Sequence, residues 1–287
     1  MVSRRAFLAG AAGLAALAGC GAQGTAFDRM RSSGVARIGI AGERPYGFLG
    51  TDGSVTGEGP SVARAVLADL AIPDVEAFQV PFAGLLDGLV AGQFDLVAAG
   101  TTVTPSRCAR VAFSHPDFLA PLAFLVEEGN PIGLRTLGGA ARSRTRLGVL
   151  SGSAEEEYAL AAGVSPTALT GYDGQSGLFR AVQAGEVPAA VLTRISLLDE
   201  LSRNPGSGLQ VTPAFAPTTT LDGADVLPVG AFAFRLDDTD LRAAFDTGLT
   251  ALQTSGRWLD VVRPFGFTEE NLPPADLTTE QVCRAQS

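Results

Sequence analysis

The residues best suited to chemistry stand in the stretch that begins at Gly100. Residues 94–99 read as an apolar strand, and Gly100 opens a polar loop, Thr101-Thr102-Val103. Thr104-Pro105-Ser106 then reads as a helix start, with Thr104 as N-cap and Pro105 at the first helical position. Arg107 falls in that first turn, where the positive end of the helix dipole disfavours a cation that serves only stability. Loop N–H groups and a planar guanidinium fork that converge on one point make a carboxylate receptor. The same spacing also fits a surface arginine after an ordinary turn, so the elements around it have to decide.

Those elements alternate. Residues 36–41 form a strand that ends in a loop carrying Glu43, Tyr46 and Phe48. Thr51-Asp52-Gly53-Ser54 is a hairpin turn, and Gly57-Glu58-Gly59-Pro60-Ser61 starts a helix with Val62, Val66, Leu67 and Leu70 on its apolar face. A strand at 77–80 leads into Pro81-Phe82, a helix runs over 85–91, and the strand at 94–99 delivers Arg107. Strand–helix repetition of this kind implies a parallel sheet with crossover helices, and ligands bind beyond the carboxyl ends of its strands. The loops at those ends hold Glu43, Tyr46, Phe82, Thr101, Thr102 and Arg107.

A second series begins near residue 146. A strand at 147–150 meets the helix start Ser151-Gly152-Ser153-Ala154-Glu155-Glu156, whose early acids suit the dipole. Thr170-Gly171-Tyr172-Asp173-Gly174-Gln175-Ser176 leads into a helix ending at Gly185, and a strand follows at 189–192 beside Thr193. Extended segments at 120–127 and 225–234 have no place in either parallel series and read as crossings. The expected fold is α/β, a two-lobed clamp with a mixed sheet and flanking helices in each lobe. Lobe one spans 34–121 and 230–287, and lobe two spans 122–229.

Bulk properties exclude other classes. The 287 residues, 46% hydrophobic with 35 glycines, suit a folded α/β chain. A net charge of −9 argues against nucleic acid, which needs a basic surface. Ser3-Arg4-Arg5-Ala6-Phe7-Leu8 is a twin-arginine export pattern before a short apolar run, so residues 1–19 read as a signal peptide. Leu17-Ala18-Gly19-Cys20 resembles a lipobox, with Cys20 as the lipidated residue and 20–33 as a linker from a membrane anchor. Cys108 and Cys283 are then an even pair in an oxidising space, either disulfide-bonded or two buried thiols.

With these pieces in place the sequence resembles extracellular solute-binding proteins of the amino-acid type (family 3), which serve ABC importers. Thr104-Pro105-Ser106-Arg107 followed by Val111-Ala112-Phe113-Ser114 is close to that family's carboxylate-holding motif. Arg37-Ile38-Gly39-Ile40-Ala41-Gly42-Glu43, Arg107-Cys108, Asp173-Gly174-Gln175-Ser176-Gly177-Leu178, Pro264-Phe265-Gly266-Phe267 and Cys283 resemble ectoine- and hydroxyectoine-binding members. The resemblance implies a type II periplasmic-binding-protein fold, no cofactor and no metal. It also implies a monomer that works outside the cytoplasm with a permease and its ATPase.

For a small zwitterion, the resemblance implies Arg107 as the fork for the anion, helped by backbone donors near Thr101, Thr102 and Ser153. Glu43 would take the cation and Tyr46 and Phe82 would sandwich a ring. Where ectoine binders present one more aromatic, this chain has Thr101-Thr102, which leaves the aromatic box incomplete and keeps a betaine or a polar amino acid in view. Thr193 stands where an amino-acid binder would want an acid. A dehydratase-like enzyme on the same fold is the remaining alternative. His115 is the only histidine, so neither a Ser-His-Asp triad at a nucleophile elbow nor a zinc cluster is legible, and only Glu43 offers a general base.

Overall fold

Two five-stranded sheets carry the chain, and the computed structural model describes residues 24–217 and 227–285. The export pattern, the lipobox and Cys20 lie outside the described residues. In the first sheet the strand order is Asp74–Gln79, Val35–Ile40, Leu96–Val97, Ala233–Phe234, Ala112–Phe113. Val35–Ile40 pairs parallel with both its neighbours, and the helices Glu58–Asp69 and Leu85–Val90 make the crossovers. Ala233–Phe234 returns late in the chain and runs antiparallel to both strands beside it.

The second sheet repeats the plan. Leu169–Tyr172, Leu147–Leu150 and Ala189–Thr193 are parallel, and Leu122–Glu127 then inserts antiparallel between Ala189–Thr193 and Leu209–Val211. That insertion is the place of the apolar segment that fitted neither parallel series. The crossings themselves meet: Phe118–Leu119 and Val229–Gly230 form a two-stranded antiparallel ladder. Gly230 is needed there, because a Cβ would fall 2.1 Å from the ring of Phe118.

Each sheet buries apolar side chains on both faces. Ile38, Ile40, Leu67, Phe245 and Trp258 pack together in the first lobe, with Leu85, Phe94 and Phe113 in a separate cluster. Phe124, Val149 and Tyr158 pack on one side in the second lobe, and Leu125, Leu178 and Phe179 on the other. Beneath the start of Glu58–Asp69, burial and the neighbouring Asp117 carboxyl hold the Glu58 carboxyl far above its ordinary range. Glu58 is thus held protonated beside Asp117, which accepts from the Trp258 indole at 2.8 Å.

Two expectations about the ends of the chain meet different outcomes. Residues 26–33 are not part of a linker: Ala26–Ser33 is a helix with Ala26 and Met30 buried. Its start is held by a capping box in which Thr25 and Asp28 satisfy each other's N–H groups. The disulfide alternative is the one observed, since Cys108 is bonded to Cys283 with Cα atoms 6.1 Å apart. It ties the tail helix Thr279–Ala285 to the short helix Pro105–Cys108. No described helix is long and apolar enough to cross a membrane.

Candidate functional site

Arg107 sits at the junction of the lobes. The Thr104 hydroxyl accepts from the Arg107 N–H, so the helix start is capped as its spacing implied. The side chain is buried, with 6% exposure, and points away from its own helix. Nη1 donates to the Thr102 carbonyl at 2.7 Å, and Nη2 donates across the cleft to the Gly152 carbonyl at 2.8 Å. Nε lies 3.9 Å from Glu157 of the second lobe, and the guanidinium carbon stands 5.6 Å from the centre of the Phe82 ring. Burial lowers the guanidinium pKa, and the carboxylates of Glu157 and Glu155 oppose that shift. A buried cation fixed in one orientation at a lobe junction is an anchor for an anion.

A cavity of about 200 Å³ opens beside it, lined among others by Phe82, Thr101, Ser106, Arg107, Gly152 and Glu157. That is below the roughly 300–1,000 Å³ of pockets for drug-sized molecules. The Thr101 hydroxyl is fully buried and has no hydrogen-bond partner among the described residues, which leaves it available to a ligand. Gly152 has φ +73°, and a Cβ there would approach Ala83 to 3.0 Å, so glycine lets the second lobe close onto the Phe82 loop.

Glu43 lies deeper in the same junction. It is 7% exposed and accepts a hydrogen bond from the Ser196 hydroxyl of the second lobe at 2.9 Å. Burial, then the charge of Glu155, pushes its carboxyl up to about 8, and the Ser196 bond offsets part of that rise. Nearby, Gln175 accepts from the Arg44 N–H at 3.1 Å and donates to the Arg44 carbonyl at 2.9 Å. These paired contacts clamp the Glu43 loop against the second lobe.

Four expected residues have different surroundings from those the sequence implied. Tyr46 has no free ring face to offer. It stacks on Phe118 with centroids 5.2 Å apart, and the backbone of Gly100 lies against it so closely that a Cβ would fall 2.3 Å from the ring. Only its hydroxyl reaches across, donating to the Thr193 hydroxyl at 2.9 Å, which also occupies Thr193. The Ser153 N–H closes a turn onto the Leu150 carbonyl, and its hydroxyl caps the Glu156 N–H. The Thr102 carbonyl faces Arg107 as an acceptor.

One residue was missed. Glu155, in the first turn of Ala154–Ala161, reads in sequence as an acid that favours the helix dipole. In the structure it is only 4% exposed, and burial raises its carboxyl while Arg107 opposes the shift. The signal available in the sequence was its place, two residues after Ser153 in a loop already expected at the cleft.

Comparisons with known proteins bear on the fold and the family. The model of the bacterial extracellular solute-binding proteins, family 3, matches residues 36–268. A probable amino-acid ABC transporter periplasmic-binding protein of Sinorhizobium fredii is 27% identical over 259 residues, covering 89% of this chain and 85% of the relative. The L-cystine-binding protein of Escherichia coli is 25% identical over 233 residues, covering 80% of this chain and 81% of that protein. Among solved structures, EhuB in complex with hydroxyectoine superposes with a TM-score of 0.80 at 30% identity, covering 91% of this chain and 98% of that one. An ancestral arginine-binding protein bound to arginine follows with a TM-score of 0.70 at 26% identity, covering 81% and 98%.

Proposed function

We propose that this chain, which belongs to the bacterial extracellular solute-binding proteins of family 3, captures a small zwitterion of the ectoine or hydroxyectoine kind for its importer. Proteins of this family bind solutes for amino-acid-type ABC transporters, and the curated relatives are periplasmic binding proteins rather than enzymes. The observation that carries the ligand reading is the opposition of charges in one closed junction. Arg107 stands at one side for the anion, and Glu43 lies buried with an acid beside it and, among the described residues, no cation paired with it. A ligand that brings a carboxylate and a cation a few atoms apart satisfies both.

Phe82 supplies the aromatic contact, since its ring already borders the cavity and the guanidinium. Thr101 takes the role of a missing aromatic with a hydrogen bond, which suits a hydroxylated ring such as hydroxyectoine. A polar amino acid is the second reading, favoured by Glu155, the second-lobe acid that a primary ammonium needs. Glycine betaine completes the set of zwitterions to be compared.

Cys20 anchors the chain by lipid outside the cytoplasmic membrane, and a monomer hands its cargo to the permease and ATPase. Replacing Cys20 by serine would move the protein from the membrane fraction to the soluble fraction; an unchanged distribution would remove the anchor. Titration of the ligand-stripped protein with ectoine and hydroxyectoine tests the cargo. Micromolar binding supports the reading, and no heat from either removes it.

A further inference from the structure

Among the described residues, the junction holds two buried acids, one from each lobe, and a single buried cation. Glu43 comes from the loop after Val35–Ile40, and Glu155 from the first turn of Ala154–Ala161. The segment bearing Glu155 is pressed onto the first lobe on three sides. The Gly152 carbonyl accepts from Arg107, Gly152 rests against Ala83, and Glu157 accepts from the Ser106 hydroxyl at 2.9 Å. Glu155 lies between those contacts, buried and with no basic side chain paired to it in any salt bridge of the described residues, and its charge is felt by Glu43 and Arg107 of the first lobe.

We infer that Glu155 is a second anionic contact for the ligand, and that Glu43 and Glu155 together accept two N–H bonds from one cation gripped between the lobes. Burial raises both carboxyls, and the charge of Glu155 adds to the rise at Glu43, which supports the placement. Tyr46, Arg107 and Glu157 are the other titratable groups beside them, and Ser196 donates to Glu43. Two carboxylates select a cation with divergent N–H donors, such as an amidinium, a guanidinium or a primary ammonium. A quaternary ammonium has no N–H to give and is held instead by aromatic cages. Here Tyr46 has its ring covered, and Phe82 alone makes no cage. The inference rests on the zwitterion reading above and narrows it: N–H cations bind, and betaines do not.

The experiment is calorimetric titration of ligand-stripped wild type, Glu155→Gln and Glu155→Asp with ectoine, hydroxyectoine, proline, arginine, glutamine and glycine betaine. The expected result is binding of at least one N–H cation and none of glycine betaine. Glu155→Gln should weaken that binding by about tenfold or more, the effect of one charged hydrogen bond, and Glu155→Asp should restore part of it. Thermal unfolding of the ligand-free variant separates this from a folding defect, because removing a buried like charge leaves the midpoint unchanged or raised. Wild-type affinity in Glu155→Gln, or tight binding of glycine betaine, would overturn this inference while leaving the zwitterion reading intact. No heat with any of the six compounds would overturn both.

Discussion

Arg107 is asked to do two things, and its surroundings show how they are compatible. Its outer donors hold the Thr102 and Gly152 carbonyls, which fixes the plane of the fork and tells the first lobe where the second one is. Arg107→Ala should cost about 3–5 kcal/mol of ligand binding, because a ligand carboxylate would be left buried without its partner. A calorimetric loss below tenfold would displace it from the site. Phe82→Ala should cost about 1–2 kcal/mol through lost ring contact and a looser guanidinium. At this scale the motif Thr104-Pro105-Ser106-Arg107 was legible because its pieces are local: a cap, a proline and a misplaced cation. Glu155 and the covered ring of Tyr46 were not, because both depend on what another lobe or a distant glycine places against them. A helix-start acid is ordinary until something buries it.

Elements decide whether those residues stay in register. The loop closed by Cys108 and Cys283 separates them by 175 positions, so its removal releases much denatured-state entropy. Cys283→Ser should lower stability by about 2–5 kcal/mol, read from chemical denaturation, with ligand affinity falling less because Arg107 keeps its own cap. The Glu58–Asp117 pair under Glu58–Asp69 gives a sharper contrast. Glu58→Gln keeps a neutral side chain beside Asp117 and should leave the unfolding midpoint nearly unchanged, whereas Asp117→Leu strands the Trp258 N–H and should cost about 1–3 kcal/mol. The strand Leu147–Leu150 and the helix Leu85–Val90 were readable from their own apolar patterns. The helix Ala26–Ser33 was not, since it is mostly polar and only Ala26, Met30 and part of Phe27 turn inward; its one signal was Thr25 three residues before Asp28.

The whole molecule carries a pH dependence of definite sign. Glu43 takes up its proton at about 8 in the closed junction instead of at the ordinary 4.5, so the folded, closed protein binds more protons than the unfolded chain between those values. Stability therefore falls as pH rises from about 4.5 to 8. Glu155, Glu58 and Asp117, all raised by burial, act in the same direction. Thermal scans of ligand-free protein should show the midpoint dropping across that window, with a shallower slope in Glu43→Gln and in protein saturated with a cationic ligand. A midpoint that rises with pH would contradict the burial of these acids. A mixed sheet in each lobe was expected from the alternating pattern, but most of 120–127, read as a crossing, is the antiparallel strand Leu122–Glu127 inside the second sheet.

The claim on which the account turns is that Arg107 and Glu43 hold opposite ends of one small zwitterion. Calorimetric titration of ligand-stripped wild type, Arg107→Ala and Glu43→Gln with ectoine and hydroxyectoine tests it directly. The account expects micromolar or tighter binding to the wild type and a loss of tenfold or more in each variant. Silence in the wild type, or variants that bind as the wild type does, would contradict it.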